Sequence, residues 1–386
     1  MKPIRFLIRF LFSIVLSIAF ISIALWISGN GHLIKAVKST YLQGKTGPTI
    51  ADYKKFDNRK VERKVIQQWP LANAYNHYKL SENEESTIES WESVAFLIVQ
   101  NDSILFEKYW EDYSRESWSN SFSIAKSLTS LAIGAALQEG KIKSVDQKVG
   151  DYLEEFKEGE KAEITIKHLL QMTSGIDFGE SYKDPFGFMA KTYYGKNLYN
   201  LTVKQKVKYT PAEVWKYEGG NTLLLSFILE KATGQTLSEY FSEHFWKPMG
   251  AENDALWTYT KKDGKERAFC CFYSNAADFA RVGQLMLDSG KWKNTSLISQ
   301  EYFEESITPV KLKDKVVQHY GYQWWLGKYK NTPYYYARGI LGQYIVCIPD
   351  WNVVFVRLGH QYVPNNQTPL PQDLLDYLEI VEKIKV

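Results

Sequence analysis

Cysteine is scarce in this sequence, and none of it has the spacing of a metal clip. Cys270 and Cys271 are adjacent, Cys347 stands alone, and no Cys-x-x-Cys or His-Glu-x-x-His occurs. A disulfide-stapled miniprotein, a structural zinc site and a zinc metalloprotease therefore have no support. Neighbouring cysteines are poorly placed to pair with each other, so all three are expected as small buried hydrophobes. Twelve Pro and 24 Gly in 386 residues, with no internal repeat, exclude collagen-like and low-complexity chains. The first fifty residues lack acid altogether. They hold six basic groups: Lys2, Arg5, Arg9, Lys35, Lys38 and Lys45. Without those six, 41 Lys+Arg face 44 Asp+Glu, so the net +3 belongs to the leader. The remainder has no electrostatic footprint for nucleic acid.

What the leader does contain is an apolar run. Residues 10–27, FLFSIVLSIAFISIALWI, carry no charge and as a helix reach roughly 27 Å, enough for a bilayer's hydrocarbon core. Arg5 and Arg9 on the amino-terminal side predict a cytoplasmic terminus and a body across the membrane. That points to a single-pass anchor in the inner membrane with the body on the periplasmic or extracytoplasmic side. A cleaved signal peptide is the main alternative, although the run ends in Leu25-Trp26-Ile27 rather than a small-x-small site. A buried core helix is the other alternative, since every face is apolar.

Residues 28–85 are polar and read as a tether followed by a first helical segment. At 93–110, SVAFLIVQ and SILFEKYW flank Asn101-Asp102 and predict a β-hairpin. A matching pair, YIVCI and NVVFVRLG, flanks residues 349–351, and YYYARG at 334–339 reads as a strand. Between these ends the pattern is helical at 123–139, 164–172, 221–233, 236–247 and 276–289, and Pro371–Val386 closes as an amphipathic helix. An isolated hairpin is marginal in water. One antiparallel sheet built from both chain ends, flanked by helices and holding an all-helical lobe at about 140–305, is the expected α/β fold. The expected divisions are 1–30 anchor, 31–85 tether and first helix, and 86–386 the main domain, with the site in a cleft between lobes.

Ser123-Ile124-Ala125-Lys126 opens one of these helices. Residues three apart share a face, and a helix amino terminus favours negative charge developing on the serine oxygen. A buried lysine one turn away can take the serine proton, which is the Ser-x-x-Lys arrangement. The bland alternative is an N-cap serine beside a solvated lysine. Against it, the helix continues through Leu128, Leu131, Ala132, Ala135 and Ala136, as a central packed helix would.

Several blocks occur in order around this tetrad: FSIAKSLTSLAIGAAL, HLLQMTSGIDF at 168–178, KYEGGNTLLLSFILEKATG at 216–234 and WKPMGAENDALW at 246–257. FCCFYSNAADFARVGQLML at 269–287, YGYQWWL at 320–326 and ARGILGQYIVCIPDWNVVFVRLG at 337–359 follow them. Together they resemble the penicillin-recognising serine hydrolases, a superfamily of class C β-lactamases, DD-peptidases and family VIII carboxylesterases. The resemblance covers about residues 90–380 and is nearest the 6-aminohexanoate-dimer hydrolase branch.

It implies a β-lactamase-like fold and an acyl-enzyme mechanism without metal or other cofactor, acting on a small ester, amide or short peptide-like substrate. Ser123 would be the nucleophile, Lys126 its proton acceptor, and Tyr217 the tyrosine that passes a proton to the leaving group. Ala337-Arg338-Gly339 falls on the family's strand motif. Gly339 would let that strand approach substrate, and the Ile340 N–H would join that of Ser123 as the oxyanion hole.

Two departures stand out. The family's asparagine after the tyrosine is absent from Tyr217-Glu218-Gly219, and the cationic first position of the strand motif is Ala337. Both losses speak against efficient β-lactam hydrolysis. Arg338 would read a substrate carboxylate if it faces the cleft, although strand alternation can turn it away. Asn221 either replaces the lost asparagine in part or caps a helix. A Ser-His-Asp hydrolase has little support, with no Gly-x-Ser-x-Gly, and His168 reads as structural. A noncatalytic, membrane-anchored receptor for penicillin or a peptidoglycan fragment is the alternative of another class. Among the twelve Trp, Trp324 and Trp325 are expected either to line a cleft or to pack in the core. Oligomeric state has no signal.

Overall fold

The computed structural model describes residues 2–362 and 371–386. α1 (Lys2–Ile27) is an exposed apolar helix, long enough to cross a membrane. After a four-residue link comes α2 (His32–Ser39), and the stretch expected as a tether then supplies β1 (Asn58–Val61). α3 (Glu82–Ser90) starts with a capping box: Ser81 Oγ accepts from the Glu84 N–H, and the Glu84 carboxylate accepts from the Ser81 N–H.

The hairpin is present as β2 (Ser93–Gln100) and β3 (Ser103–Tyr109). Asn101 and Asp102 both take positive φ, 51° and 60°, as a two-residue turn matched to strand twist requires. β4 (Ser119–Asn120) leads into α4 (Ile124–Gln138). The helices α5 (Ile166–Leu170), α6 (Phe188–Tyr194), α7 (Leu198–Val203), α8 (Gly219–Thr233) and α9 (Leu237–Phe241) follow. The insertion is not purely helical. It also carries β5 (Ala255–Thr258) and β6 (Phe272–Ser274), then α10 (Ala276–Leu287). Two small ribbons, β7–β8 (Lys291–Trp292, Thr295–Ser296) and β9–β10 (Val310–Lys311, Val316–Val317), flank α11 (Gln300–Ser306). The chain ends with β11 (Trp325–Tyr329), β12 (Thr332–Gly339), β13 (Gln343–Ile348), β14 (Val353–Gly359) and α12 (Gln372–Ile384).

Both ends of the chain meet in one six-stranded sheet of order β11-β12-β13-β14-β2-β3, antiparallel throughout. All eight residues of β2 are buried because both faces are covered. Ala95, Leu97 and Val99 join the main core with α4 and α10, whereas Phe96 and Ile98 join Leu374, Leu378 and Val381 of α12. Each of these side chains larger than Ala95 contributes about 1.5–3 kcal/mol by leaving water. That two-sided burial explains the nearly unbroken apolar run in a sheet without parallel strands.

A second sheet, β1-β5-β6-β4, ends beside the start of α4. α10 is tied to the loop before β5 by buried charge. Arg281 Nε lies 3.1 Å from Asp278 and its NH2 lies 3.0 Å from Glu252. Asp278 also accepts the Glu252 and Asn253 N–H groups.

One cysteine expectation is corrected. Cys270 and Cys271 form a disulfide, with Cα atoms 3.8 Å apart, while Cys347 is free and buried. The left-handed backbone of Cys271, φ 66°, turns the two neighbouring sulfurs toward each other.

Candidate active site

The turn before α4 is a left-handed one. Phe122, at φ 44°, bends the chain out of β4, and such a conformation in a non-glycine costs about 1 kcal/mol or more. Neighbours hold it in place. The Phe122 N–H donates to Asn120 Oδ1 at 2.9 Å, and the Ser121 N–H donates to the Phe272 carbonyl of β6 at 2.7 Å. Ser123 is thereby set at the N-cap of α4. Residues 124–136 of that helix are all buried. The hydroxyls of Ser127 and Ser130 bond the Gln323 and Tyr322 carbonyls at 2.6 and 2.9 Å, which pins α4 to the segment before β11.

Lys126, 1% exposed, turns inward. Its Nζ lies 2.9 Å from Ser123 Oγ and 3.0 Å from the Phe269 carbonyl oxygen. It also sits 4.9 Å from the centroid of the Tyr217 ring. Ser123, Lys126 and Tyr217 thus meet at one point. Lys126 Nζ faces the ring of Tyr217, and no Lys126–Tyr217 hydroxyl bond is among the described contacts. Phe269 carries no signal of this role in sequence: its part is played by a carbonyl, which every residue has.

Tyr217 owes its place to the HLLQMTSG block. Met172, left-handed at φ 60°, accepts the Lys216 N–H on its carbonyl at 3.0 Å, and its sulfur meets the Glu218 N–H at 3.5 Å. The Glu218 carboxylate is 1% exposed. It accepts the Phe178 and Gly179 N–H groups at 3.3 and 3.1 Å and pairs with Lys216 at 2.7 Å. Burial raises its pKa above the ordinary value, with Lys216 acting in the opposite direction. Next to it, Gly219 donates its N–H to Glu180 at 2.6 Å. The residues standing where the family has its asparagine therefore staple the Tyr217 segment to loop 172–180. Glu218 and Glu180 carry no motif signal in the sequence, because they act by accepting backbone N–H groups.

Asn221 is not the cap of α8; Glu218 is. Buried in the first turn, Asn221 donates back to the Glu218 carbonyl at 3.3 Å, and its Oδ1 has no partner among the described residues.

The strand motif lies against the turn that carries Ser123. A Cβ on Gly339 would stand 2.2 Å from the Ser121 carbonyl oxygen and 3.2 Å from Phe122 Cβ, so only glycine fits. β11 begins opposite Tyr336, which leaves the outer edge of Ala337–Gly339 without a strand among the described residues. The Ser123 and Ile340 N–H groups donate to no other group among those residues.

Arg338 faces away from Ala337, as alternation requires. Ala337 enters the main core, whereas the Arg338 guanidinium stacks on Trp325 at 5.2 Å. Trp325 in turn lies 5.2 Å from the Tyr217 ring. The paired tryptophans therefore divide: Trp324 is fully buried against Tyr335, and Trp325 walls the site with Trp215, His319 and Tyr320. His168 closes the capping box of α5 with Thr165, and burial lowers its pKa. Among the described residues no cluster of His, Cys, Asp or Glu suits a metal.

Known proteins place this geometry in context. The chain is 26% identical over 240 residues to 6-aminohexanoate-dimer hydrolase of Paenarthrobacter ureafaciens, spanning 58% of this chain and 59% of that protein. A solved structure assigned as a 6-aminohexanoate-dimer hydrolase from Bacillus anthracis superposes with a TM-score of 0.71 at 19% identity, over 87% of this chain and 91% of that one. A family VIII carboxylesterase superposes at 0.62 and 15% identity, over 82% and 99%. The β-lactamase family model matches residues 82–376, and the chain belongs to that family.

Proposed function

We propose that the protein is a serine hydrolase that cleaves an ester or amide through an acyl-enzyme on Ser123, held at a membrane by α1. The observation that carries this reading is the 2.9 Å contact between Ser123 Oγ and a buried Lys126 Nζ at a helix start, beside a glycine-edged strand.

In the forward step Ser123 Oγ adds to the carbonyl carbon, and Lys126 Nζ, acting as general base, takes its proton. The carbonyl oxygen becomes an oxyanion between the Ser123 and Ile340 N–H groups. The C–O or C–N bond breaks, and the departing alcohol or amine leaves with a proton delivered through Tyr217. Water then adds to the Ser123 ester, the same groups move its proton, and the acid departs. Lys126 is held in register throughout by the Phe269 carbonyl.

The amide and ester chemistry named for the hydrolase and carboxylesterase relatives supports this class. Gly219 and Ala337, where the family has an amide and a cation, turn the preference from β-lactams toward other acyl substrates. Arg338, stacked on Trp325, suits a substrate carboxylate near the Tyr217 wall.

Intact-mass measurement after exposure to a fluorophosphonate or penicillin, beside Ser123→Ala, tests the reading. One adduct on the parent and none on the variant is expected. Equal labelling of both, or none with any serine-reactive probe or ester, would refute it. An acyl adduct from an ester that forms on the parent and never turns over identifies the receptor instead.

A further inference from the structure

α2 is amphipathic the wrong way round for a helix on a protein surface. Its His32 and Ser39 are buried, and Ala36 packs against the core. His32 Nε2 lies 2.8 Å from the Pro185 carbonyl, and the Ser39 carbonyl accepts from Lys55 at 2.8 Å. Ile34 and Val37 face out, while Leu33 is half-buried. Ile34, Val37, Tyr41 and Leu42 recur at helical spacing through α2 and the turn that follows, and they are 41–76% exposed. A surface helix ordinarily does the reverse.

Two more apolar side chains, Tyr182 and Phe186, are exposed on the turn that carries Pro185. The basic groups Lys38, Lys45 and Lys183 are exposed alongside, with Asp184 as the acid of that turn, and residues 28–50 contain no acid. An outward apolar stripe bordered by lysines is the pattern of a helix lying in a headgroup layer.

Position argues for the same partner. α1 ends at Ile27 and α2 begins at His32. A four-residue link spans at most about 15–20 Å, so α2 stays near the end of the apolar helix. The other side of the patch leads to the catalytic residues. The Tyr182 hydroxyl donates to Glu180 at 2.7 Å, and Glu180 accepts the N–H of Gly219, two residues after Tyr217.

We propose that residues 32–45 and the Tyr182–Phe186 turn form one membrane-seating surface, which lies in the headgroup layer of an anionic bilayer and holds the Tyr217 side of the Ser123 site there. This rests on reading α1 as a membrane span. Substrates that partition into the bilayer, such as amphiphilic esters or amides, then reach the site from that surface.

The test uses the full chain in phosphatidylcholine vesicles containing phosphatidylglycerol. Single environment-sensitive labels are placed by Val37→Cys, Leu42→Cys and Phe186→Cys, with Ile14→Cys in α1 and Lys157→Cys on the body as references. We expect the first three to resist a water-soluble quencher and to be quenched by lipids nitroxide-labelled near the headgroup. Ile14→Cys should respond only to deep lipid labels, and Lys157→Cys only to the aqueous quencher. If Ile14→Cys is protected while the three test sites are open to water, the surface is refuted and the anchor stands. If Ile14→Cys is itself open to water, the anchor reading falls and this proposal with it. Val37→Asp combined with Leu42→Asp adds a functional arm. Labelling of Ser123 by a vesicle-borne alkyl fluorophosphonate should slow at least about fivefold, with a water-soluble probe unaffected. Equal slowing with both probes, or no slowing with either, overturns the seating role. Protection that appears only at high protein density, without lipid quenching, indicates a second copy of the chain and likewise overturns it.

Discussion

Replacing Gly339 by alanine tests the oxyanion arrangement without touching any reacting side chain. The new Cβ would start 2.2 Å from the Ser121 carbonyl oxygen. A carbon and an oxygen settle near 3.3–3.5 Å, so the strand edge and the nucleophile's turn must part by about 1 Å. Neither side yields easily. Ser121 is fixed to Phe272 at 2.7 Å, and Gly339 is paired with Gln343 in β13. A displacement of that size carries the Ile340 N–H beyond hydrogen-bond range of an oxygen held at Ser123. Loss of one oxyanion donor costs about 10²–10³ in rate, or about 2.7–4 kcal/mol. Overpacking adds about 1–3 kcal/mol of destabilisation. The assay is the second-order rate of Ser123 phosphonylation by a small fluorophosphonate, followed by intact mass, with urea denaturation run in parallel. We expect the rate to fall at least about a hundredfold while the protein stays folded at 25 °C. A folded Gly339→Ala protein labelled within about twofold of the parent rate would refute the placement of Ile340 in the oxyanion hole.

Three further outcomes follow from contacts away from Ser123. Arg281→Met leaves Asp278 buried without its cation and should destabilise by about 3–5 kcal/mol in urea denaturation, whereas phosphonylation of the folded fraction stays near the parent rate. Glu218→Ala removes the acceptor for Phe178 and Gly179 and loosens the Tyr217 segment; about 2–3 kcal/mol of stability and a fall in turnover should go together, and a turnover unchanged in the folded protein would contradict the supporting role. Burial lowers Lys35 to about 8, with Arg267 adding to the effect. Below that pH the folded state holds a cation it disfavours, and stability rises between about 8 and 10.5 as the folded state sheds the proton first. Lys35→Met should therefore be the more stable protein at pH 7, by about 1–2 kcal/mol after discounting for partial exposure, and its advantage should shrink at pH 10; an advantage independent of pH would refute the assignment.

The sheet was legible because its strands announce themselves locally. SVAFLIVQ, Asn101-Asp102 and SILFEKY combine a β-branched and aromatic run with residues that tolerate positive φ, and they form β2, the turn and β3. The same holds for β12 to β14. The short strands β1, β4, β5 and β6 were not legible. Asn58–Val61 and Ser119–Asn120 have two to four residues and no alternation of their own. They exist because long-range pairing completes a sheet beside α4. The disulfide was hidden as well: it goes with a left-handed Cys271, a backbone conformation that the residue type does not announce.

The side chains proposed to react could be found from the sequence, and Ser123, Lys126 and Tyr217 do lie together. The groups that hold them in place could not. Lys126 is aimed by the Phe269 carbonyl, Phe122 by Asn120, and the Tyr217 segment by Met172, Glu218 and Glu180 through backbone N–H groups. These supports also bear on the family departures. Gly219 packs with its α-carbon against Phe269, where a Cβ would lie 3.0 Å from the Phe269 ring-bearing carbon, and it spends its N–H on Glu180. Restoring an asparagine there would push on the residue whose carbonyl holds Lys126. The departure at Gly219 and the seating of Lys126 therefore meet at one residue, Phe269. Gly219→Asn should fail to bring back β-lactam hydrolysis and should slow acylation by a simple ester, read as a fall in kcat with KM little changed. A Gly219→Asn protein with undiminished esterase kcat would show that the Phe269 carbonyl does not govern Lys126.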